Sequence, residues 1–385
     1  MEQVDHTTDV VVIGAGQAGL SAAYHLRRTD TDFVVLDHAK GPGGAWQHRW
    51  PSLRMDQVHG IHDLPGMALD PAGGTAAGTA LDSAGGASVD TAESDDSRPA
   101  AVVMAEYFDR YERAFELPVL RPVDVIAVRR GQDDRLLVET PTETWAARAV
   151  VNATGTWDRP HWPYYPGRET FAGRQLHTAD YTGPAGFAGQ HVIVVGGGTS
   201  AVQLLTEIAT RGNPASTTWV TRRPPVFVDG PFTAEHGRAA VAEVDRRVRA
   251  GLPPQSVVRV TGLTLTPEVA RARAAGLLDR EPMFTRITPH SVVWADGTER
   301  PADVILWATG FRAALDHLAP LRLRAPGGGI TMAGTRVVAE PRLHLVGYGP
   351  SASTVGANRA GRAAALEIRR LLESRPESAA RTMGA

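Results

Sequence analysis

An α/β fold of two nested parallel-sheet units is predicted by three features of the sequence. A β-branched apolar run at 9–13 breaks at Gly14-x-Gly16-x-x-Gly19 and resumes as an Ala/Leu-rich helical pattern at 20–26. The theme then repeats, with the run 191–195 entering Gly196-x-Gly198-x-x-Ala201 and a second helical pattern. Further buried-strand runs, at 149–152 and 303–307, follow the two fingerprints and each closes in Ala-Thr-Gly. The second unit, expected at 156–304, would interrupt the first, expected at 1–155 and 305–380. Two Rossmann-like dinucleotide-binding domains follow from this order.

The glycines of the first fingerprint have separate tasks. Gly14 permits the tight turn, Gly16 lets the backbone approach a pyrophosphate, and Gly19 lets helix pack on strand. The free N–H groups of the helix start, around Gln17 and Ala18, then face the phosphate charge. A second apolar run at 33–36 ends at Asp37, at about the roughly 20-residue spacing of the acid that accepts hydrogen bonds from a ribose. His38 follows it. In the second unit, Gly196, Gly198, Thr199, Ser200 and Ala201 repeat the phosphate cradle. The run 217–220 there ends in Thr221-Arg222-Arg223, where the first unit has its acid. An acid would repel a 2′-phosphate and an Arg pair can hold one, so NADPH is expected over NADH.

Composition narrows the chemistry. The 385 residues are 43% hydrophobic and 21% charged, which fits a soluble globular protein of two or three domains. A net charge of −2 gives no reason to expect nucleic acid or an anionic membrane as partner. There is no cysteine, which removes disulfides, thiolate metal sites, iron–sulfur clusters and thiol catalysis. No metal cluster is expected. No apolar stretch reaches the ~20 residues of a membrane span, and the start of the chain lacks a signal-peptide pattern, so the cytoplasm is expected.

The remaining segments read in order. Gly44, Ala45 and Trp46 open a loop that would lie against a flat ligand. The stretch 68–100 turns to Gly, Ala, Ser, Thr and Asp and reads as a flexible insertion. Helical period at 102–115 gives an aromatic stripe, Tyr107, Phe108, Tyr111 and Phe115, expected in the core. Strands are expected at 123–129, including Val125, and at 135–139. The turns Ala153-Thr154-Gly155 and Ala308-Thr309-Gly310 close the two late strands. Residues 224–290 carry no motif. Near the end a strand reaches Gly347, a loop runs to Asn358 and a helix is expected from 359 to 372.

Together these motifs resemble the class B flavin-containing monooxygenases. The paired fingerprints carry the likeness, with GGAWQHRWPSLRMD at 43–56 similar to the family's flavin-adjacent segment. Phe171-x-Gly173-x-x-x-His177-x-x-x-Tyr181, just before the second fingerprint, resembles the family's identifying sequence. The resemblance implies FAD on Gly14, Gly16, Gln17, Ala18, Gly19, Asp37, His38, Gly44, Ala45, Trp46, Val125, Ala153, Thr154, Gly155 and Gly347. It implies NADPH on the second fingerprint with Arg222, Arg223, Ala308, Thr309 and Gly310. NADPH would reduce FAD, O₂ would add as a C4a-hydroperoxide, and a small organic substrate would take up one oxygen. Asp56 and Asn358 are then the candidate catalytic groups, and His177 a link between the domains. Baeyer–Villiger relatives carry Trp where this chain has Tyr181 before Thr182, which favours N- or S-oxygenation. A flavin disulfide reductase is excluded as a thiol enzyme. An NADPH oxidase or diaphorase releasing hydrogen peroxide, and a non-catalytic nucleotide sensor, stay open, and a homodimer is allowed.

Overall fold

Strand β1 (His6–Ile13) runs into helix α1 (Gln17–Arg27) and β2 (Phe33–Leu36). Then come α2 (Ala100–Ala114), β3 (Val119–Leu120), β4 (Ala127–Arg130), β5 (Leu136–Glu139) and β6 (Thr144–Asn152). The middle of the chain gives β7 (Arg174–His177), β8 (His191–Val195), α3 (Thr199–Arg211), β9 (Ser216–Val220), β10 (Phe227–Val228) and α4 (Ala234–Arg249). It continues through β11 (Leu263–Thr264), α5 (Pro267–Ala274), β12 (Arg280–Glu281), β13 (Arg286–Ile287), β14 (Ser291–Val293), β15 (Glu299–Pro301) and β16 (Val304–Trp307). Last are β17 (Met332–Ala333), β18 (Arg336–Val337), β19 (Glu340–Leu345) and α6 (Thr354–Ser374). The computed structural model describes residues 3–58, 61–69, 98–228, 234–255 and 262–374. Most of the insertion read at 68–100 lies outside the described residues.

The larger sheet has the parallel order β19-β6-β1-β2-β3, with β17 and β18 extending it and the β4-β5 hairpin beside β6. Val10 to Ile13 are flanked by Phe33 to Leu36 on one side and by Ala149 to Asn152 on the other. Covered on both faces, these strands need no polar alternation, which is why they read as continuous apolar runs. On one face α1 and α6 cross closely. A Cβ on Gly361 would lie 2.6 Å from Ser21 Oγ and 2.7 Å from Ala22 N, so only glycine fits that crossing. The aromatic stripe of α2 is core, as expected. Tyr107 accepts from Leu64 N and donates to Met67 O, both at 2.7 Å, and Tyr111 donates to Pro65 O at 2.8 Å.

The second sheet is parallel throughout, β12-β9-β8-β16-β7. Here one expectation is corrected. β16 pairs with β7 and β8, so the chain returns to the first unit only after Trp307 and not at 305. An apolar run buried on both faces marks a parallel strand but carries no mark of which sheet it joins.

Two crossovers join the sheets and run antiparallel beside each other. Pro160 and Phe311 form a bridge between them, Arg312 N donates to Arg159 O at 2.8 Å and Ala314 N to Gly155 O at 3.0 Å. Helix α6 also starts earlier than expected. Ser353 Oγ accepts from Gly356 N at 3.1 Å and caps the helix, so Asn358 lies inside it and not in a loop. Gly356 in the first turn hides that start from a propensity reading.

Candidate functional site

The β1–α1 turn is enclosed by backbone on two sides. Gly14 takes φ +96°, and a Cβ there would lie 2.8 Å from Ala153 O; a Cβ on Gly44 would lie 2.8 Å from Gly16 Cα. Ala153 N donates to Ile13 O at 2.8 Å, which holds the 153–155 turn beside the fingerprint. The first N–H groups of α1 have no partner within the helix and face outward from this glycine cradle. Gly347 comes close to it, since a Cβ there would lie 3.2 Å from Ala18 Cβ.

Asp37 stands at the end of β2 and is 4% exposed. Its Oδ2 accepts from Arg121 Nε at 2.7 Å, while Arg121 Nη1 and Nη2 reach Glu112 at 2.6 and 2.7 Å. Sequence reasoning missed Arg121 and Glu112, because neither sits in a motif and the pairing spans separate elements. His38 faces Asp158 of the first crossover at 3.5 Å, and that carboxylate raises the imidazole pKa against the effect of burial. Val125 lies between Val123 N, which donates to Asp37 O, and Ile126 N, which donates to Glu139 O.

Gly44, Ala45 and Trp46 form the first part of a 3₁₀ turn, Gly44–His48. Arg49 leaves it under two indoles, with its Cζ 5.4 Å from the ring centroids of Trp46 and Trp157. Trp157 is stacked with Phe311 at 4.9 Å and with His48 at 5.5 Å, so both crossovers and the 44–49 turn meet there.

The two candidate catalytic residues fare differently. Asn358 Oδ1 accepts from Gln17 Nε2 at 3.0 Å, and its Nδ2 donates to Asp63 O. Ser21 Oγ donates to its backbone oxygen at 3.1 Å. With both ends of its amide engaged, Asn358 holds α6 to the fingerprint helix. Asp56 is exposed on the turn Met55–Gln57 and shares no hydrogen bond or ion pair with another candidate among the described residues.

The second cradle repeats the first. Gly196 takes φ +146°, a Cβ there would lie 2.2 Å from Ala308 O, and Ala308 N donates to Val195 O at 2.8 Å. Gly198 precedes Thr199, Ser200 and Ala201 in the first turn of α3. Trp219 Nε1 donates to Gly196 O at 2.7 Å and pins this turn from β9, a role that the sequence pattern does not mark. Arg222 and Arg223 follow β9, both exposed and without a carboxylate partner among the described residues. Arg222 and Arg312 both act on His161 of the first crossover, whose pKa burial lowers first and these charges lower further.

In the identifying segment, Gly173 is closed in by Asp303 O and the Phe171 ring, at 2.3 and 2.7 Å from a Cβ there. His177 is fully buried; its Nε2 bonds Gly310 O at 3.0 Å and its Nδ1 accepts from Ala179 N at 3.2 Å. A ring that accepts at Nδ1 and donates at Nε2 is neutral, and burial lowers its pKa in the same sense. Gly310 O also accepts from His161 N at 2.9 Å. Tyr181 donates to Glu207 Oε2 at 3.0 Å and meets Trp50 edge-on at 6.2 Å, so it connects α3 to the first unit's loop.

A dinucleotide fits the first cradle on the protein's own atoms. Glycines keep side chains out of it, and Oε1 of Gln17, in the fingerprint itself, is buried with no hydrogen-bond partner among the described residues. The second cradle has the same backbone form, with Arg222 and Arg223 beyond it unpaired among the described residues. Among the described residues no group of three His, Asp or Glu side chains could hold a metal ion. No described helix is long and apolar enough to cross a membrane.

A family model described as NAD(P)-binding Rossmann-like domain matches residues 12–69, and one described as Pyridine nucleotide-disulphide oxidoreductase matches 81–231. The absence of cysteine rules out thiol chemistry of the kind the second description names. A flavin-containing monooxygenase from Stenotrophomonas maltophilia is 37% identical, with a TM-score of 0.75 over 95% of this chain and 99% of that one. An "Uncharacterized oxidoreductase CzcO-like" of Geobacillus kaustophilus is 30% identical over 54% of this chain and 53% of its own length. A "Baeyer-Villiger monooxygenase" of Streptomyces coelicolor is 26% identical over 80% of this chain and 65% of its own. The chain spans about half the length of the CzcO-type relatives it matches. With 37% identity across the whole of a solved relative and both cradles in place, the chain belongs to the class B flavin-containing monooxygenases, oxidoreductases that use FAD and NADPH.

Proposed function

We propose that the protein oxygenates the nitrogen or sulfur of a small organic substrate, with FAD in the first cradle, NADPH in the second and O₂ as oxidant. Bound FAD would supply the redox chemistry, taking electrons from NADPH and activating oxygen. The observation that carries the reading is the duplicated cradle, Gly14 against Ala153 and Gly196 against Ala308, joined by paired crossovers.

Each residue group has a part. The start of α1, with Gly14, Gly16, Gln17, Ala18 and Gly19, would bind the pyrophosphate, and Asp37 the ribose, held in place by Arg121. Gly44, Ala45 and Trp46 would wall the flavin ring, and Gly347 with the start of α6 would set a positive dipole end near it. Thr199, Ser200 and Ala201 would meet the second pyrophosphate, and Arg222 and Arg223 the 2′-phosphate. His177 and Gly310 would hold the crossovers. With no nucleophile or metal needed, the residues' tasks are binding, orientation and exclusion of water. Tyr181 followed by Thr182, in place of the Trp of Baeyer–Villiger relatives, supports heteroatom oxygenation over insertion beside a ketone.

The test is to reduce FAD-loaded protein with NADPH without oxygen, then mix it with O₂ in a stopped-flow spectrometer. A long-lived, blue-shifted flavin spectrum before the oxidised one returns is expected. Amines and sulfides should discharge it faster than ketones. Immediate reoxidation with stoichiometric peroxide, unchanged by any amine or sulfide, would establish an oxidase instead.

A further inference from the structure

The turn after Trp46 leaves one cation without an anion among the described residues. Arg49 is partly buried, with its Cζ over both indoles at 5.4 Å. Its Nε is enclosed and makes no hydrogen bond. The two Nη atoms make no hydrogen bond among the described residues either, yet they are not enclosed, so the fork of the guanidinium stays open. No ion pair reaches Arg49 among the described residues, and burial holds its pKa below the usual arginine value with no carboxylate to offset it. Leaving water without a counter-charge is costly for a cation, and contact with aromatic faces recovers only part of that cost. Trp157 is itself fixed between Phe311 and His48, so the guanidinium plane is held before any ligand arrives. A planar fork of fixed orientation matches the two oxygens of a carboxylate or phosphate.

We propose that the open Nη edge of Arg49 is an oxyanion site, built where the 44–49 turn meets the first crossover. Its ligand is either a carboxylate on a small-molecule substrate or the pyrophosphate of the bound dinucleotide. The substrate arm rests on the monooxygenase reading; the oxyanion site itself does not.

Two titrations separate the sources. Oxidised, FAD-loaded protein is titrated with benzoate and followed by the flavin spectrum, and FAD-free protein is titrated with FAD and followed by flavin fluorescence. Both are repeated for Arg49→Gln and Arg49→Lys. Arg49→Gln should lose about tenfold or more in one of the two affinities, equivalent to roughly 1.4 kcal/mol. A loss confined to benzoate assigns a substrate carboxylate, and a loss confined to FAD assigns the pyrophosphate. Arg49→Lys keeps the charge without the fork and should recover only part of the loss. Wild-type values for both ligands in Arg49→Gln would overturn the proposal. If that variant does not fold, the wild type decides: both affinities unchanged by added salt would overturn it equally. Reduction by NADPH is measured separately, so a protein that never turns over can still have or lack the site.

Discussion

A Cβ on Gly14 would lie 2.8 Å from the carbonyl oxygen of Ala153, and Gly14 itself takes φ +96°. Gly196 repeats the relationship with Ala308 at 2.2 Å. A side chain at either position is excluded both by its backbone angle and by a neighbouring backbone oxygen. Gly14→Ala should therefore purify with little FAD, read as the ratio of flavin to protein absorbance. Gly196→Ala should keep its flavin but need at least about tenfold more NADPH for half-maximal reduction, the loss expected when a few kcal/mol of cradle geometry is removed. Equal effects of the two variants on flavin content would break the assignment of one cradle to each nucleotide.

Arg222 and Arg223 are exposed and without carboxylate partners among the described residues. Hydrogen bonds to a charged phosphate are worth about 1.5–3 kcal/mol, so Arg222→Gln or Arg223→Gln should raise KM for NADPH by about tenfold or more. KM for NADH should move little, because it lacks the phosphate. The measurement is the ratio of the two kcat/KM values, and an unchanged ratio in both variants would remove the arginines from the 2′-phosphate site.

What could be read in advance was what one short segment imposes on its own backbone. The two glycine cradles, Asp37 and the identifying segment fall in this class, since a turn that excludes a side chain leaves a glycine in the sequence. Partnerships between distant segments left no such trace. Arg121 with Asp37, Arg49 between Trp46 and Trp157, and Trp219 on Gly196 depend on which elements the topology brings together. The start of α6 was hidden because Gly356 lowers helix propensity while Ser353 supplies the cap. The sheet membership of β16 was hidden because a strand buried on both faces looks alike in either sheet.

His177 ties the end of β7 to Gly310 O, which also accepts from His161 N. Replacing it by Ala removes one of the two donors and leaves Ala179 N without its acceptor, at a cost of about 1–3 kcal/mol. Because the bond joins an element of the second sheet to a crossover, reduction by NADPH should slow more than flavin content falls. His177→Gln can donate from its amide and should recover part of that rate. Stopped-flow reduction under anaerobic conditions checks both variants. An unchanged rate in His177→Ala would limit the residue to a role in stability.

Buried histidines set how stability depends on pH. Burial lowers the His317 pKa from 6.5 to about 4, and His344 from 6.5 to about 3. His317 Nε2 lies 2.6 Å from Asn152 Oδ1, a contact that suits the neutral ring donating from Nε2. In the unfolded chain each imidazole takes up a proton near its ordinary value, so from about pH 6.5 down to 4 the unfolded state binds more protons. Stability is therefore full above that window and declines as pH falls through it. Urea unfolding followed from pH 7 to 4 should show a falling midpoint, and His317→Gln should flatten the decline. A midpoint that rises on acidification would contradict this sign.

Asn358 joins three parts of the first unit, with its amide between Gln17 and Asp63 O and its backbone oxygen accepting from Ser21. Gln17 belongs to the fingerprint, so a change at Asn358 reaches the flavin cradle without touching it. Asn358→Ala removes one of the two acceptors of Gln17 Nε2, leaving His62 O at 3.2 Å, and removes the donor to Asp63 O, and should cost about 1–2 kcal/mol of stability. The same loss loosens Gln17, whose Oε1 already lacks a protein partner, and should speed FAD release several-fold. Asn358→Ser can restore at most one of the two bonds and should fall between. The check is FAD dissociation followed by the rise in flavin fluorescence, beside the urea midpoint of each variant. If Asn358→Ala instead abolished oxygen transfer while releasing FAD at the wild-type rate, the residue would act on the chemistry itself.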